Sequence, residues 1–326
     1  MGVATKQRFL YLNGLWREML ALSQRQFDTV YSRLGVRFDH TLGESFYNTR
    51  LRGVVDQLVR LGIARASEGA MVVFFEGNPA LESHPMMVQK SDGAANYATT
   101  DLATLEHRMA TWQPDEIVYV TDGRQQLHFQ QLFAVFRRWH PQAAVRLSHV
   151  WFGSILGDDG KPFKTRSGEV VKLVDLLDEA EERARRVVAA KNPDLSESER
   201  CEIARIVGLG ALKYADLLPN RQSDYVFSWD KMLALNGQTA PYLQYAYTRI
   251  RSIFRKRAED GGAGEAPSMS VDAVDLRPSA PEESRLARHL LGFGGVIEAV
   301  AAEYRPNYLC HYLYELAGPF TAIYEA

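Results

Sequence analysis

The chain is poor in cysteine: two in 326 residues, Cys201 and Cys310, far apart in sequence and each in a helix-like context. That pattern supports neither a disulfide framework nor a zinc site, so both read as structural positions and no metal site is expected. No uninterrupted apolar run reaches the ~20 residues that cross a bilayer, and the N-terminus has no signal-peptide pattern. Met1-Gly2 is followed by Lys6 where a myristoylation signal needs Ser or Thr. No membrane is expected, and a cytoplasmic location is the default. Charge of one sign is lacking too: 38 Lys and Arg against 40 Asp and Glu leave a formal net charge of -2. No global field advertises nucleic acid, so any such contact has to come from a local patch. What is present is ordinary for a globular chain, with 46% hydrophobic and 24% charged residues, enough to bury a core over about two domains.

The most informative stretch runs from Gln89 to Gly168. Lys90-Ser91-Asp92-Gly93 is a turn signature, after which Leu102, Leu105, Met109 and Trp112 fall on one helix face. Ile117 to Val120 reads as a buried strand ending at Thr121-Asp122-Gly123, Leu127 to Trp139 as a helix, and Val145 to Phe152 as another strand. Strand, helix, strand at this spacing predicts parallel pairing through a right-handed crossover, and polar residues at the strand ends are where an α/β sheet binds ligands. Gly157-Asp158-Asp159-Gly160 is a tight turn into the loop 161–168. The fold class predicted is therefore α/β with an open parallel sheet.

Around this unit, residues 8–33 have helical spacing with a stop at Gly35, and no glycine-rich phosphate turn precedes them. Leu51 to Leu61 is a second helix, and Ala70 to Phe75 and Met86 to Gln89 are strands. Beyond Lys172 the pattern is helical, with a charged segment at 178–186 that reads as a solvated face. Ile203 to Leu212, Ala240 to Arg257, Ser284 to Ala301 and Tyr308 to Tyr324 follow as helices. Residues 258–283, rich in Gly, Ala, Pro and Ser, read as a loop. The densest basic cluster, Arg249, Arg251, Arg255, Lys256 and Arg257, is open to two readings: a solvated helix end or a phosphate-contacting surface.

Several runs together resemble class I arginyl-tRNA synthetases. They are Gly43-Glu44-Ser45-Phe46-Tyr47-Asn48, Gln89-Lys90-Ser91-Asp92-Gly93, Tyr97-Ala98-Thr99-Thr100-Asp101, His128-Phe129-Gln130 and Lys161 to Gly168. Ser223-Asp224-Tyr225-Val226-Phe227 and Thr239 to Tyr247 complete the order. The resemblance covers nearly everything outside 258–283. The family's His-Ile-Gly-His signature has no counterpart here, so the chain is expected to correspond to the second half of the Rossmann-like nucleotide-binding fold followed by an α-helical anticodon-binding bundle. On that basis residues 1–88 form an insertion module, 89–195 the later half of the catalytic domain, 196–235 a helical stem-contact region and 236–326 an incomplete anticodon-binding domain.

The resemblance implies ATP-dependent activation of L-arginine, Mg2+ accompanying the nucleotide, transfer to tRNA(Arg), and a monomer with no prosthetic group, with activity expected to need the half of the catalytic fold that carries His-Ile-Gly-His. A non-catalytic paralogue that binds tRNA or arginine is the other reading. Arginine's guanidinium is a planar, permanently charged fork of donors whose complement is a carboxylate. Asp101 fits that part, with Tyr97 four residues earlier on the same helix face. By resemblance Tyr97, Asp101 and Gln130 line the arginine pocket, and His128, His149, Phe152 and Gly153 neighbour ATP. Lys164 and Arg166 lie in the loop resembling the second class I signature, whose cations stabilise charge on departing pyrophosphate. In this loop Phe163 stands where the signature has methionine, and Thr165 where it has its second lysine. Arg249, Arg255 and Lys256 are the expected tRNA contacts.

Overall fold

In the computed structural model the described residues are 3–157, 160, 161, 172–259, 278 and 280–325, with side chains of the first helix from residue 12 onward. They fall into two compact units, residues 38–153 and residues 1–37 with 154–326. The elements in chain order are α1 (Val3–Leu34), α2 (Leu51–Arg60), β1 (Arg65–Ser67), β2 (Ala70–Val73), β3 (Met86–Gln89), α3 (Tyr97–Trp112), β4 (Glu116–Asp122), α4 (Gln126–Trp139), β5 (Arg146–Phe152) and β6 (Ile155–Leu156). After these come α5 (Leu173–Lys191), α6 (Glu197–Leu217), β7 (Tyr225–Val226), α7 (Trp229–Met232), α8 (Ala240–Glu259), α9 (Pro281–Leu291), α10 (Phe293–Glu303) and α11 (Asn307–Glu325).

The 38–153 unit has one core. Val54 and Leu58 of α2, Val73 and Val88 of the first sheet, Leu102 and Leu105 of α3, Ile117 and Tyr119 of β4, and Leu132, Val135 and Phe136 of α4 are all buried in it together. This core runs across residue 88. The first sheet is antiparallel in the order β1-β2-β3. Strand β1 was not legible in the sequence, being three residues long with Arg65 and Ser67 polar. It exists because Glu68 and Gly69, with φ of 51° and 82°, make the two-residue turn that hairpin twist favours.

β4 and β5 pair in parallel from Glu116↔Arg146 to Asp122↔Phe152, with α4 as the crossover, as the spacing predicts. β4 is not buried on both faces, however. Ile117 and Tyr119 face the core, while Val118 and Val120 are 38% and 64% exposed. The strand alternates because, among the described residues, only one of its faces is covered by packed helices.

The other unit is largely helical. α5 and α6 pack so closely that a Cβ on Gly208 would sit 2.6 Å from the carbonyl oxygen of Ala180. α6 opens with a capping box, Ser196 with Glu199. The charged segment on α5 is more than a solvated face: besides its own Glu179–Arg183 pair, Asp178 and Glu181 lie 2.7 and 2.9 Å from Arg33, tying down the end of α1. Short strands β6 and β7 pair in parallel, and the Asp224 carboxylate accepts from the Ser154 amide at 2.6 Å. The stretch expected as one helix over 284–301 is two, broken at Gly292, whose amide donates to His289 O.

Arg249 of α8 lies over the rings of Tyr245 and Tyr324, 4.4 and 5.0 Å from their centroids, and pairs with Glu325 at 3.1 Å. It joins α8 to the end of α11.

Two substitutions test the packing. Gly208→Ala should lower stability by about 1–3 kcal/mol, since the clash is with backbone that cannot swing aside. Gly53→Ala, inside α2 with nothing within 4 Å of the new Cβ, should raise it by about 0.5–1 kcal/mol. Urea titration of both variants checks the pair, and equal midpoints would refute the close α5–α6 approach. The pH profile gives a second test. Burial lowers the imidazole pKa of both His107 and His140, and Arg50 and Arg108 add to the effect at His107. A depressed histidine pKa means that the unfolded chain binds protons more readily than the folded one. Stability from these groups is therefore complete above the ordinary histidine pKa of about 6.5 and falls as pH drops through it. Thermal midpoints from pH 8 to about 5 should decline, and His140→Phe should flatten part of that decline.

Candidate functional site

The site begins with the way the sequence fixes the first turn of α3. Asn96 is its N-cap, with a side-chain oxygen that accepts from the Thr99 amide and an amide group that donates to Met87 O at 2.8 Å. The Thr99 hydroxyl donates to Val88 O. These bonds fasten the helix start to β3 and leave Tyr97 and Asp101, one turn apart, on the same side. α4 starts directly after the carboxyl end of β4, which brings His128 opposite Asp101.

Nε2 of His128 lies 2.6 Å from Oδ2 of Asp101, with the two side chains 12% and 33% exposed respectively. The ring of Tyr97, itself largely exposed, meets the His128 ring in a tilted edge contact at 4.9 Å and 64°. On its other side His128 touches Phe129 at 5.1 Å, and Phe129 in turn stacks on His149 at 4.4 Å and 28°. His149, in register with Tyr119 across the parallel pair, has its Nε2 2.7 Å from the Thr121 hydroxyl. A continuous row of rings and hydrogen bonds thus runs across the carboxyl ends of β4 and β5, where open α/β sheets bind their ligands.

Beneath that row Tyr119 is buried, its phenol pKa pushed up first by desolvation, with the Arg108 guanidinium 5.0 Å from its ring centroid. At the rim the side chain of Arg124 holds the Asp122 carboxyl below its ordinary pKa through paired hydrogen bonds. Phe152, 44% exposed, ends β5, and Gly153 follows it.

This arrangement brings together most of the residues singled out from sequence, but not all in the expected grouping. Tyr97 and Asp101 lie one turn apart on α3, and both contact His128. His128, expected beside a nucleotide, is bonded to Asp101. Gln130 is exposed on the second turn of α4, two positions after His128; that spacing turns it about 200° around the helix, away from the Asp101 side. The neighbouring amide that is buried, Gln131, donates to His84 O at 2.6 Å and serves the fold. His149 and Phe152 lie on β5 as predicted. Lys164 and Arg166 lie outside the described residues. Arg249, expected to contact nucleic acid, is engaged between two tyrosines and Glu325, while Arg255 and Lys256 remain exposed beyond it on α8. The His128–Asp101 bond itself was not readable: the two residues are 27 positions apart, with no pattern linking them. Among the described residues no group of three or more His, Cys, Asp or Glu could hold a metal ion, and no described helix is long and apolar enough to cross a membrane.

Comparison with known proteins bears on the family and the fold. The family model for tRNA synthetases class I (R), catalytic domain, matches residues 4–229, and that for the DALR anticodon binding domain matches residues 243–326. An arginine--tRNA ligase of Rhodopirellula baltica is 48% identical over 322 residues, covering 96% of this chain and 47% of that protein. One from Klebsiella pneumoniae is 46% identical over 321 residues, covering 97% and 54%. Among solved structures, arginyl-tRNA synthetase from Plasmodium falciparum superposes with a TM-score of 0.80 at 30% identity, over 96% of this chain and 52% of that one. The Thermus thermophilus arginyl-tRNA synthetase gives 0.80 at 25% identity, over 96% and 57%. The chain spans about half the length of the curated relatives it matches. Its fold is that of a class I synthetase catalytic domain with a parallel sheet, followed by a helical DALR domain. With the catalytic-domain model matching well over half of its residues, the chain belongs to the class I arginyl-tRNA synthetase family.

Proposed function

We propose that this chain carries the arginine-recognising and tRNA-facing part of an arginine--tRNA ligase. The reaction joins L-arginine to ATP as arginyl adenylate, releases pyrophosphate, and passes the arginyl group to a terminal ribose hydroxyl of tRNA(Arg). The observation that carries this reading is the Tyr97–Asp101–His128 group at the carboxyl ends of β4 and β5. A carboxylate one-third exposed, flanked by an aromatic ring, complements a planar cation with several donors.

Asp101 accepts the guanidinium and Tyr97 covers it. The exposed Phe152 at the end of β5, followed by Gly153, offers a stacking surface for adenine, while His149, on the opposite face of the strand, packs on Phe129. Lys164 and Arg166 keep the phosphate role given by their resemblance to the second class I signature. Mg2+ is expected to accompany the triphosphate. Arg255 and Lys256 are the phosphate contacts for tRNA, at the exposed end of α8.

Arginine- and tRNA-dependent exchange of pyrophosphate into ATP measures the activity. Asp101→Ala should weaken arginine use by about 2–5 kcal/mol, toward the lower end because the carboxylate is partly exposed. Near-normal exchange at low arginine by that variant would remove Asp101 from the pocket. Reversing the charge of Arg255 and Lys256 together should weaken tRNA binding more at low salt than at high salt. A salt-independent effect would return this cluster to a solvated helix end.

A further inference from the structure

The resemblance gives His128 a place beside the nucleotide, but its hydrogen bond serves the carboxylate. We propose that His128 is a positioning residue for substrate recognition, holding one oxygen of Asp101 so that the carboxylate is aimed at a guanidinium-bearing ligand. The role rests on the arginine reading above and deepens it.

Three observations support it. The contact is short, Nε2 to Oδ2 at 2.6 Å, and an ionised carboxylate has only acceptors, so the imidazole N–H is the donor. The histidine ring is confined by Tyr97 on one side and Phe129 on the other, at 4.9 and 5.1 Å, and its side chain is only 12% exposed. Among the described residues no other donor reaches the Asp101 carboxylate, so its second oxygen is available to a ligand.

The choice of histidine follows from charge. A lysine or arginine at this position would neutralise the carboxylate and compete with the ligand for it. A histidine ring N–H fixes one carboxylate oxygen without the permanent charge that an arginine would bring to the pair. Fixing it beforehand also removes part of the ordering cost of binding, because an unrestrained aspartate would lose its rotation about the terminal torsion only when the ligand arrived. Tyr97 then acts twice, restraining His128 through its ring edge while its exposed surface meets the ligand.

Calorimetric titration of the chain with L-arginine tests the role through rescue. His128→Phe, which keeps a ring but has no donor, should weaken binding by about tenfold or more, the scale of a hydrogen bond to a charged group. His128→Gln, whose amide N–H has a reach similar to Nε2, should recover affinity to within about threefold of wild type. His128→Asn, polar but too short, should behave like the Phe variant. In an Asp101→Asn background the His128→Phe change should have no further effect, the signature of two residues acting as one unit. If the Phe variant does not fold, the Gln and Asn variants decide the matter between them. Equal affinity in wild type and the donor-free variants, or loss in the Gln variant as deep as in the Asn variant, would overturn the positioning role and leave the arginine reading intact. No saturable binding of arginine by wild type would overturn the arginine reading, and this role with it.

Discussion

The fastening of the first turn of α3 to β3 is the constraint on which the site depends. Asn96 and Thr99 satisfy the exposed amides of a helix start and, in the same few bonds, tie that start to the backbone of Met87 and Val88. Everything that could recognise a ligand in the 38–153 unit is set from there. Tyr97 and Asp101 project from a turn that cannot slide along the sheet, and His128 reaches Asp101 because α4 begins where β4 ends. Without the cap, the carboxylate would sit on a fraying helix end with no fixed direction.

From Asp101 the order continues across the sheet. His128, Phe129, His149 and Thr121 form a row in which each ring packs against its neighbour. Phe152 and Gly153 lie at that end. In the proposed reaction the amino acid and the nucleotide must meet with their reacting atoms aligned. On the other side of β4, Val118 and Val120 are 38% and 64% exposed, while Val150 beside Val120 is buried.

The helical unit shows the same division between groups used for packing and groups left for contact. Arg33 and Arg249, unremarkable in sequence among many other arginines, are engaged by carboxylates or tyrosine rings and join helices distant in the chain. Arg255 and Lys256, drawn from the same basic cluster as Arg249, stay on the surface. Composition could not separate them, because the difference lies in whether α11 ends within reach, and Tyr324 and Glu325 are the residues that decide it.

The sequence alone determined the classes of element and their local order. Apolar periodicity placed β4, α4 and β5 to within a residue or two and picked out one face of α3, the strand-helix-strand spacing predicted the parallel pair, and the motif runs pointed to the family. Those features depend on local propensity and on the periods of helix and strand, which a sequence states directly. Tertiary structure decided the rest. It joined His128 to Asp101 across 27 residues, turned Gln130 away from that pair, buried Gln131 instead, added β1 through a tight turn, and left one face of β4 open. Each of these depends on which surfaces come within a few ångströms after packing, and contact at that range is fixed by the fold as a whole.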